Sequence, residues 1–352
     1  MIYVSLTQKC PLRCAHCFVE SGPERTEHAR LDDFRRWIDS LVAAPSVEVV
    51  ALSGGEPWSH PAALRYAVEA CHRAGVYSMV CTSGFWAATP EKAARLLDSF
   101  PRPSAICLST DVFHEPFVPL EQLRHAVEAA VQRDIEVMYQ IVDDDPEHSE
   151  FMRRFEQEVG FDLVSRDQVY VVNLAAVGRA AEELALARPG GAAGDLEHIP
   201  DGPCPWLGAP WLHEDGVVCA CSNLEVHETL QHPLQLGHLS ETPFASMSAA
   251  ADADHYVQAL RILGPRGLVD ELPVESWGWK RESFAGASVC DLCHSLARVP
   301  GLPERVREAA GRKEMARRIA AFRMMVYGET GHLSGSAEAS ETVEPDVSRS
   351  PA

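Results

Sequence analysis

Three cysteine thiols lie close together near the start of the chain, in the run Cys10-Pro-Leu-Arg-Cys14-Ala-His-Cys17. Thiolates are the protein ligands of iron–sulfur clusters, and a 4Fe–4S cluster normally takes four of them. A set of three leaves one iron without a protein ligand, so that iron can bind a substrate or a cofactor. Zinc sites use paired cysteine elements and a fourth ligand, which His16, beside Cys17, is poorly placed to supply. The run therefore favours an iron–sulfur cluster with one open iron.

A second set of cysteines lies in the later part of the chain: Cys204, Cys221, Cys290 and Cys293. Four thiolates can hold either a second 4Fe–4S cluster or a structural zinc ion. The spacing of the residues leaves both alternatives open. Cys219, two residues before Cys221, could be a spare thiol, an alternative ligand or a catalytic donor.

The composition limits the class of protein. The formal net charge of the 352 residues is −20, which argues against a nucleic acid or an anionic membrane as partner. The sequence shows no signal peptide and no apolar run long enough to span a bilayer, so we expect a cytoplasmic protein. In a reducing compartment, metal or redox use of eleven cysteines is favoured over disulfides. We expect Cys71, Cys81 and Cys107 to be small buried apolar residues.

The first half of the chain alternates short β-rich runs with longer helical patterns. Six strands are predicted at 2–7, 47–52, 77–82, 104–109, 135–141 and 168–174, with helices near 31–43, 61–74, 90–99, 119–132 and 147–158. Such alternation is typical of a parallel sheet with helical crossovers. Six units fit an α/β fold with an open, partial (β/α)6 barrel.

Polar residues follow each predicted strand, where the chemistry of such barrels gathers. They are Gly54, Gly55, Glu56 and Pro57 after the second strand, Thr82 and Ser83 after the third, Ser109 and Asp111 after the fourth, Gln140 and Asp143 after the fifth, and Asn173 after the sixth. We expect these groups to share one cavity with the Cys10 loop. Beyond Asp111, His114 and Glu115 are either acid–base groups for the substrate or a loop cap under the cavity.

These motifs together resemble the radical S-adenosylmethionine (SAM) superfamily over residues 1–185. The matching elements are the cysteine run followed by Phe18, the Gly-Gly-Glu-Pro motif at 54–57, and the Ser-x-Asp motif at 109–111. The resemblance implies that SAM binds the open iron, that Gly54, Gly55 and Glu56 hold its amine, and that Phe18 lies by the adenine. It also implies that Ser109 and Asp111 address the ribose and methionyl end. Thr82-Ser83-Gly84 departs from the family's commoner Thr-Asn-Gly. Gly178-Arg179-Ala180 is either a family element or a helix start with a surface arginine.

The second cysteine set resembles the twitch domain, a shortened SPASM extension, through the spacing C-x11-G-x4-C with Gly216 and a later C-x2-C. In this context the resemblance favours a second 4Fe–4S cluster over zinc. The expected organisation is a radical SAM barrel, a twitch/SPASM-like domain, one C-terminal helix within which 303–327 are helical, and a disordered tail: 1–185, 200–298, 299–330 and 331–352, with a linker at 189–194.

The resemblance implies an oxidoreductase-type enzyme that cleaves SAM to methionine and a 5′-deoxyadenosyl radical, which takes a hydrogen atom from the substrate. The auxiliary cluster would accept an electron, giving dehydrogenation or oxidative bond formation. The electron donor would be a flavodoxin or ferredoxin. Without an N-terminal leader-binding domain, the balance tilts towards a natural-product sugar or cyclitol. The alternatives are modification of a ribosomally made peptide, with a separate leader-peptide-binding protein, and a non-catalytic iron–sulfur or zinc scaffold.

Overall fold

The computed structural model describes residues 1–175, 177–184, 196–204, 206–284, 286 and 288–329. The first half consists of six strands, each followed by a helix. The strands are β1 (Ile2–Ser5), β2 (Val49–Ser53), β3 (Tyr77–Thr82), β4 (Ala105–Ser109), β5 (Glu136–Val142) and β6 (Val169–Val172). The helices are α1 (Leu31–Val42), α2 (Pro61–Ala74), α3 (Pro90–Asp98), α4 (Leu120–Val131), α5 (Glu150–Glu158) and α6 (Arg179–Glu183). The predicted α/β alternation is confirmed.

The six strands form one parallel sheet in the order β6-β5-β4-β3-β2-β1. Parallel strands are buried on both faces, and here the outer face packs against the helices while the inner face lines the barrel interior. Ile2, Val50 and Val80 belong to the outer core, whereas Ala51 and Met79 belong to a separate inner cluster. All six strands therefore bring their carboxyl ends to the same edge, as expected of a partial barrel.

The sheet continues beyond the barrel through three short strands that the sequence did not predict. They are β7 (Trp211–Leu212), β8 (Val217–Cys219) and β9 (Gln235–His238). Strand β7 runs parallel to β1 with Tyr3 opposite Trp211, and β8 and β9 follow in antiparallel order. The rings of Tyr3 and Trp211 stack with centroids 5.1 Å apart. The cysteine-rich part thus begins as an extension of the barrel's own sheet.

The remaining described helices are α7 (Leu224–Glu228), α8 (Phe244–Ala253), α9 (His255–Glu271), α10 (Val289–Ala297), α11 (Leu302–Ala310) and α12 (Lys313–Tyr327). Most of them build a second apolar core, whereas Phe244 and Met247 of α8 belong to the core of the barrel. The prediction of one helix over 303–327 is wrong, because the helix ends at Ala310 and a new one begins at Lys313. Gly311, between them, lies against the ring of His255 in α9, which fixes where the chain turns.

The predicted linker at 189–194 and tail at 331–352 lie outside the described residues. Among the residues that the structure describes, no helix combines the length and apolar character needed to cross a bilayer.

Candidate active site

A single cavity of about 600 Å³ opens at the carboxyl edge of the sheet and contacts both cysteine sets. The predicted site residues that line it are Cys10, Cys14, Cys17, Phe18, Gly54, Gly55, Glu56, Thr82, Ser83, Ser109, Asp111, His114, Gln140, Asn173, Cys204, Cys221, Cys290 and Cys293. The loops after the parallel strands therefore meet as expected. Pro57, Asp143, Glu115 and Arg179 do not line the cavity, and Glu115 is paired instead with Arg154.

Two backbone amides, those of Cys10 and Leu12, stabilise the start of the cysteine loop (residues 10–17). The amide of Cys10 donates to the carbonyl of Gly22 at 3.1 Å, and the amide of Leu12 donates to the Cys10 sulfur at 3.4 Å. Burial raises the pKa of the Cys10 thiol to about 12 and that of Cys14 further, with neighbouring thiols adding to the effect. Thiols in this setting become thiolates when a metal replaces their protons. The local electrostatics therefore suit a metal cluster better than a free nucleophile.

Arg179 stabilises the cysteine loop through hydrogen bonds. Its guanidinium donates to the carbonyl of Cys14 at 2.8 Å and to the carbonyl of Ser21 at 2.7 Å, and its amide donates to the carbonyl of Cys17 at 3.0 Å. Arg179 is buried, so the interpretation as a surface arginine is wrong. Gly178 precedes it at a φ of +54°, and a β carbon there would lie 2.5 Å from the carbonyl oxygen of Phe18. The Gly-Arg element thus supports the cysteine loop.

The Gly-Gly-Glu motif also contacts the cysteine loop through its backbone. Gly54 has a φ of +112°, and a β carbon there would lie 2.6 Å from the carbonyl oxygen of Thr7. The amide of Gly55 donates to that same carbonyl at 2.6 Å, and the amide of Glu56 donates to Lys9 at 2.9 Å. The glycines are therefore required for close backbone approach and for positive φ, whatever ligand the loop binds.

Glu56 lines the cavity, and its carboxylate already accepts several hydrogen bonds. It accepts hydrogen bonds from the Thr82 hydroxyl at 2.8 Å, the Ser83 hydroxyl at 3.0 Å and the Ser83 amide at 3.2 Å. The residue is 1% exposed. Burial outweighs these hydrogen bonds and raises the pKa of Glu56 to about 7. A cation placed against this carboxylate would restore its ionised form. The Thr-Ser-Gly loop consequently orients Glu56.

The raised pKa of Glu56 predicts that the stability of the fold depends on pH. A carboxyl whose folded pKa of about 7 exceeds its ordinary 4.5 stabilises the fold below pH 4.5, and that contribution is lost as the pH rises through 7. The loss should reach up to about 3 kcal/mol. Glu56→Gln removes the titration. In urea unfolding of the metal-free chain, the free energy of unfolding of the variant should therefore rise relative to that of the natural chain between pH 5 and pH 8. Exposed Glu228→Gln is the control; a pH-independent difference between Glu56→Gln and the natural chain would contradict the prediction.

Asp111 lies at the centre of a buried polar group that includes His114 and His16. The Nδ1 of His114 is 2.9 Å from one Asp111 oxygen, and the Nε2 of His16 is 3.4 Å from the other. Burial alone would raise the pKa of Asp111, but the hydrogen bond and charge of His114 outweigh it and lower that pKa. Burial lowers the pKa of His16 to about 4. The sequence singled out Asp111 and His114 but considered His16 only as a poorly placed zinc ligand, because its proximity to both depends on the turn between Cys14 and Cys17.

The four later cysteines form one group. Burial is the main cause that raises the pKa of each thiol, to about 12 for Cys221 and Cys290, and the charges of the other members of the set raise three of the four further. Cys219 is completely buried in β8 and does not line the cavity. The four predicted ligands therefore face the cavity together, while Cys219 is separated from it.

Glu214 connects the β7–β8 turn to the base of the cysteine loop. Its carboxylate accepts from the Ser5 hydroxyl at 2.9 Å and the Gln8 amide at 3.1 Å. Gln8 in turn accepts from the Ser21 hydroxyl at 2.9 Å, and Ser21 is the residue whose carbonyl Arg179 binds. A chain of hydrogen bonds therefore runs from the cysteine-rich part to the cysteine loop. No sequence motif signalled it.

Glu214→Gln should destabilise the fold by about 1–2 kcal/mol, because the two buried donors, which share one oxygen of Glu214, would exchange a charged acceptor for a neutral amide oxygen. Chemical unfolding of the natural chain and the variant measures the difference. The matched control is Glu228→Gln, which changes an exposed carboxylate. Equal effects of the two substitutions would show that the Glu214 contacts contribute nothing.

Comparison with models of known protein families finds a match in the first part of the chain. Residues 4–143 match the model of the Radical SAM superfamily, a stretch that runs from β1 to the end of β5. This segment therefore matches a radical SAM domain, the domain of enzymes that use a 4Fe–4S cluster and SAM, and the match indicates an enzyme.

Particular relatives extend the comparison. The PqqA peptide cyclase of Methylorubrum extorquens is 35% identical over 86 residues, 24% of this chain and 21% of that protein. The subtilosin biosynthesis protein AlbA of Bacillus subtilis is 38% identical over 56 residues, 16% of this chain and 12% of that protein. The matched segments thus span about a fifth or less of these relatives. The structure of native anSMEcpe with bound AdoMet and Cp18Cys peptide shares the fold, with a TM-score of 0.50 at 12% identity, covering 90% of this chain and 98% of that one.

Proposed function

We propose that this chain is a radical SAM enzyme that oxidises a peptide substrate with the help of a second iron–sulfur cluster. The observation that carries the proposal is the single cavity in contact with both cysteine sets. A substrate bound between them can lose a hydrogen atom at one site and an electron at the other. A four-thiolate cluster leaves no iron open to ligands, so electron transfer is the role that suits it.

The residues at the first site fit a cluster with one open iron. Cys10, Cys14 and Cys17 supply three thiols in a loop braced by Arg179, and the loop lines the cavity. When bound, the cluster and SAM supply one-electron cleavage of SAM and removal of a hydrogen atom from the substrate. The chain's part is to hold these groups: the buried Glu56 carboxylate suits the ammonium of SAM, and Asp111 suits hydroxyl donors.

The residues at the second site fit a cluster better than a zinc ion. Tetrahedral zinc with bonds of about 2.3 Å would bring its sulfur ligands within about 3.8 Å of one another. Among the described residues, no three of the sulfurs of Cys204, Cys221, Cys290 and Cys293 lie within 4.8 Å of one another. This wider spacing favours a cluster with four separate corners. The roles of these thiols rest on that spacing and on their shared cavity.

The peptide is placed first among the substrate classes because of the relatives. The sequence alone tilts towards a sugar or cyclitol, but PqqA peptide cyclase and the subtilosin biosynthesis protein AlbA match segments of 86 and 56 residues of the chain above 30% identity. The cavity lining is largely apolar and aromatic, with Tyr3, Trp206, Trp211 and Phe18 among its residues. Such a surface suits an apolar peptide side chain better than a polyhydroxylated ring.

The test is anaerobic reconstitution with iron and sulfide, followed by reaction with SAM, dithionite and small peptides encoded beside the gene. The expected products are 5′-deoxyadenosine and a peptide that has lost two hydrogen atoms. A panel of sugars and cyclitols is run in parallel, and turnover of one of these would replace the peptide as the substrate class. A reconstituted protein that forms no 5′-deoxyadenosine would be a scaffold rather than an enzyme.

A further inference from the structure

Two thiols that belong to neither cysteine set face each other inside the barrel. Cys81 on β3 and Cys107 on β4 are direct neighbours in the parallel register. Both belong to the inner cluster, with Ala51, Met79 and Ala105, rather than to the core under the helices. Adjacent parallel strands are about 4.8 Å apart, so side chains on the same face of paired residues lie in contact.

One member of this thiol pair reaches the cavity. Cys81 is partly exposed and lines the cavity beside Ser53 and Glu56, whereas Cys107 is 6% exposed. Cys71, the third cysteine expected to serve only for packing, is fully buried in the outer core. The expectation of a simple buried residue therefore holds for Cys71 and Cys107 but does not describe Cys81.

The surroundings keep the Cys81 thiol protonated. Its hydrogen bond with Cys107 and its burial raise its pKa well above the ordinary value for a thiol, and the nearby Glu56 acts in the same direction. A protonated thiol is a poor nucleophile and a poor metal ligand. Its S–H bond is nevertheless weaker than an aliphatic C–H bond, so transfer of its hydrogen atom to a carbon radical is downhill.

We propose that Cys81 donates a hydrogen atom to carbon radicals formed in this cavity, with Cys107 as the partner that shares the resulting sulfur radical. The inference rests on the proposed radical chemistry of the site. In the step, the S–H bond of Cys81 breaks, a C–H bond forms, and the unpaired electron moves from carbon to the Cys81 sulfur. Transfer of the Cys107 hydrogen atom to that sulfur then moves the radical to the more buried thiol without net change.

The thiol pair is restored by one electron and one proton. An external low-potential reductant, dithionite in the test below, supplies the electron, and water supplies the proton. The pair would act when a carbon radical forms without a substrate that can pass its electron onward. Cys81 would then protect the cavity, while oxidation of a true substrate would proceed through the second cluster.

Tyr3 is the alternative donor that the test must separate from Cys81. Its hydroxyl exchanges with solvent and the residue lines the same cavity, where its ring stacks on Trp211. Burial raises the pKa of Tyr3, with Cys81 and Cys107 as further contributors, which places the phenol close to the thiol pair. A hydrogen atom of solvent origin could therefore come from either residue.

The experiment uses the reconstituted protein with SAM and dithionite in D₂O, without substrate, and measures deuterium in 5′-deoxyadenosine by mass spectrometry. The natural chain and Cys71→Ala should give singly deuterated product. Cys81→Ser, which keeps the shape but has a strong O–H bond, should lower the deuterated fraction at least tenfold, while Tyr3→Phe should leave it unchanged. Unlabelled product from the natural chain, or loss of label in Tyr3→Phe alone, would overturn the inference. Absence of 5′-deoxyadenosine would instead overturn the proposed function, and the donor role with it.

Discussion

Replacing Cys14 by alanine should reduce 5′-deoxyadenosine formation to background. Cys14 is the most buried of the three thiols in its loop, and its carbonyl accepts a hydrogen bond from the Arg179 guanidinium. The variant leaves two thiolates for a cluster that needs at least three protein ligands to present one open iron. Iron content should fall from about 8 to about 4 atoms per chain, since the second set of four cysteines is untouched.

The measurement pairs iron and sulfide analysis with detection of 5′-deoxyadenosine after anaerobic reduction with SAM. Cys71→Ala is the matched control, because it removes a buried thiol that lies in the outer core away from the cavity. That control should keep about 8 iron atoms per chain and full product formation. Retained SAM cleavage by Cys14→Ala would show that this loop is not the cluster site.

The barrel could be predicted from the sequence because its signals are local. Period-3.6 apolar positions define α4, and its predicted span of 119–132 differs from Leu120–Val131 by one residue at each end. Helix α2 begins at Pro61 and ends before Gly75, whose left-handed backbone gives the C-cap. Once the strands are placed, the parallel order brings their polar ends to one edge. The cavity therefore followed from the strand assignments.

The continuation of the sheet could not be predicted in this way. Strand β7 has only two residues, too few for any period, and what joins it to β1 is contact over a long sequence separation. The Tyr3–Trp211 stack and the Ser5–Glu214 hydrogen bond are such contacts. The same limit applies to Arg179, since nothing in the run Gly178-Arg179-Ala180 shows that buried carbonyls of the cysteine loop need a donor. These positions are determined by buried polar groups that need hydrogen-bond partners from distant parts of the chain.

The second prediction with a large effect concerns the other cysteine set. Cys293→Ala should lower iron by about 4 atoms per chain yet leave 5′-deoxyadenosine formation intact, while the oxidised product disappears. Cys293 lies in α10, whereas the hydrogen bonds that brace the first cysteine loop are donated by Arg179 or accepted by the Gly22 carbonyl. The first site should therefore assemble without the second. Hydrogen removal would continue, but the substrate radical would have no outlet for its electron.

Cys219→Ala is the matched control for that experiment, because Cys219 is a buried thiol of the same part of the chain that lies outside the cavity. It should retain both iron and product, and if it does not, Cys219 is a ligand. Loss of zinc rather than iron in Cys293→Ala would identify the second site as structural. Loss of 5′-deoxyadenosine together with product would mean that the second site is needed to deliver electrons to the first or to hold it in shape. If the variant cleaves SAM but does not oxidise the substrate, the first site removes the hydrogen atom and the second site removes the electron. The cavity that the two sites share allows one substrate to reach both.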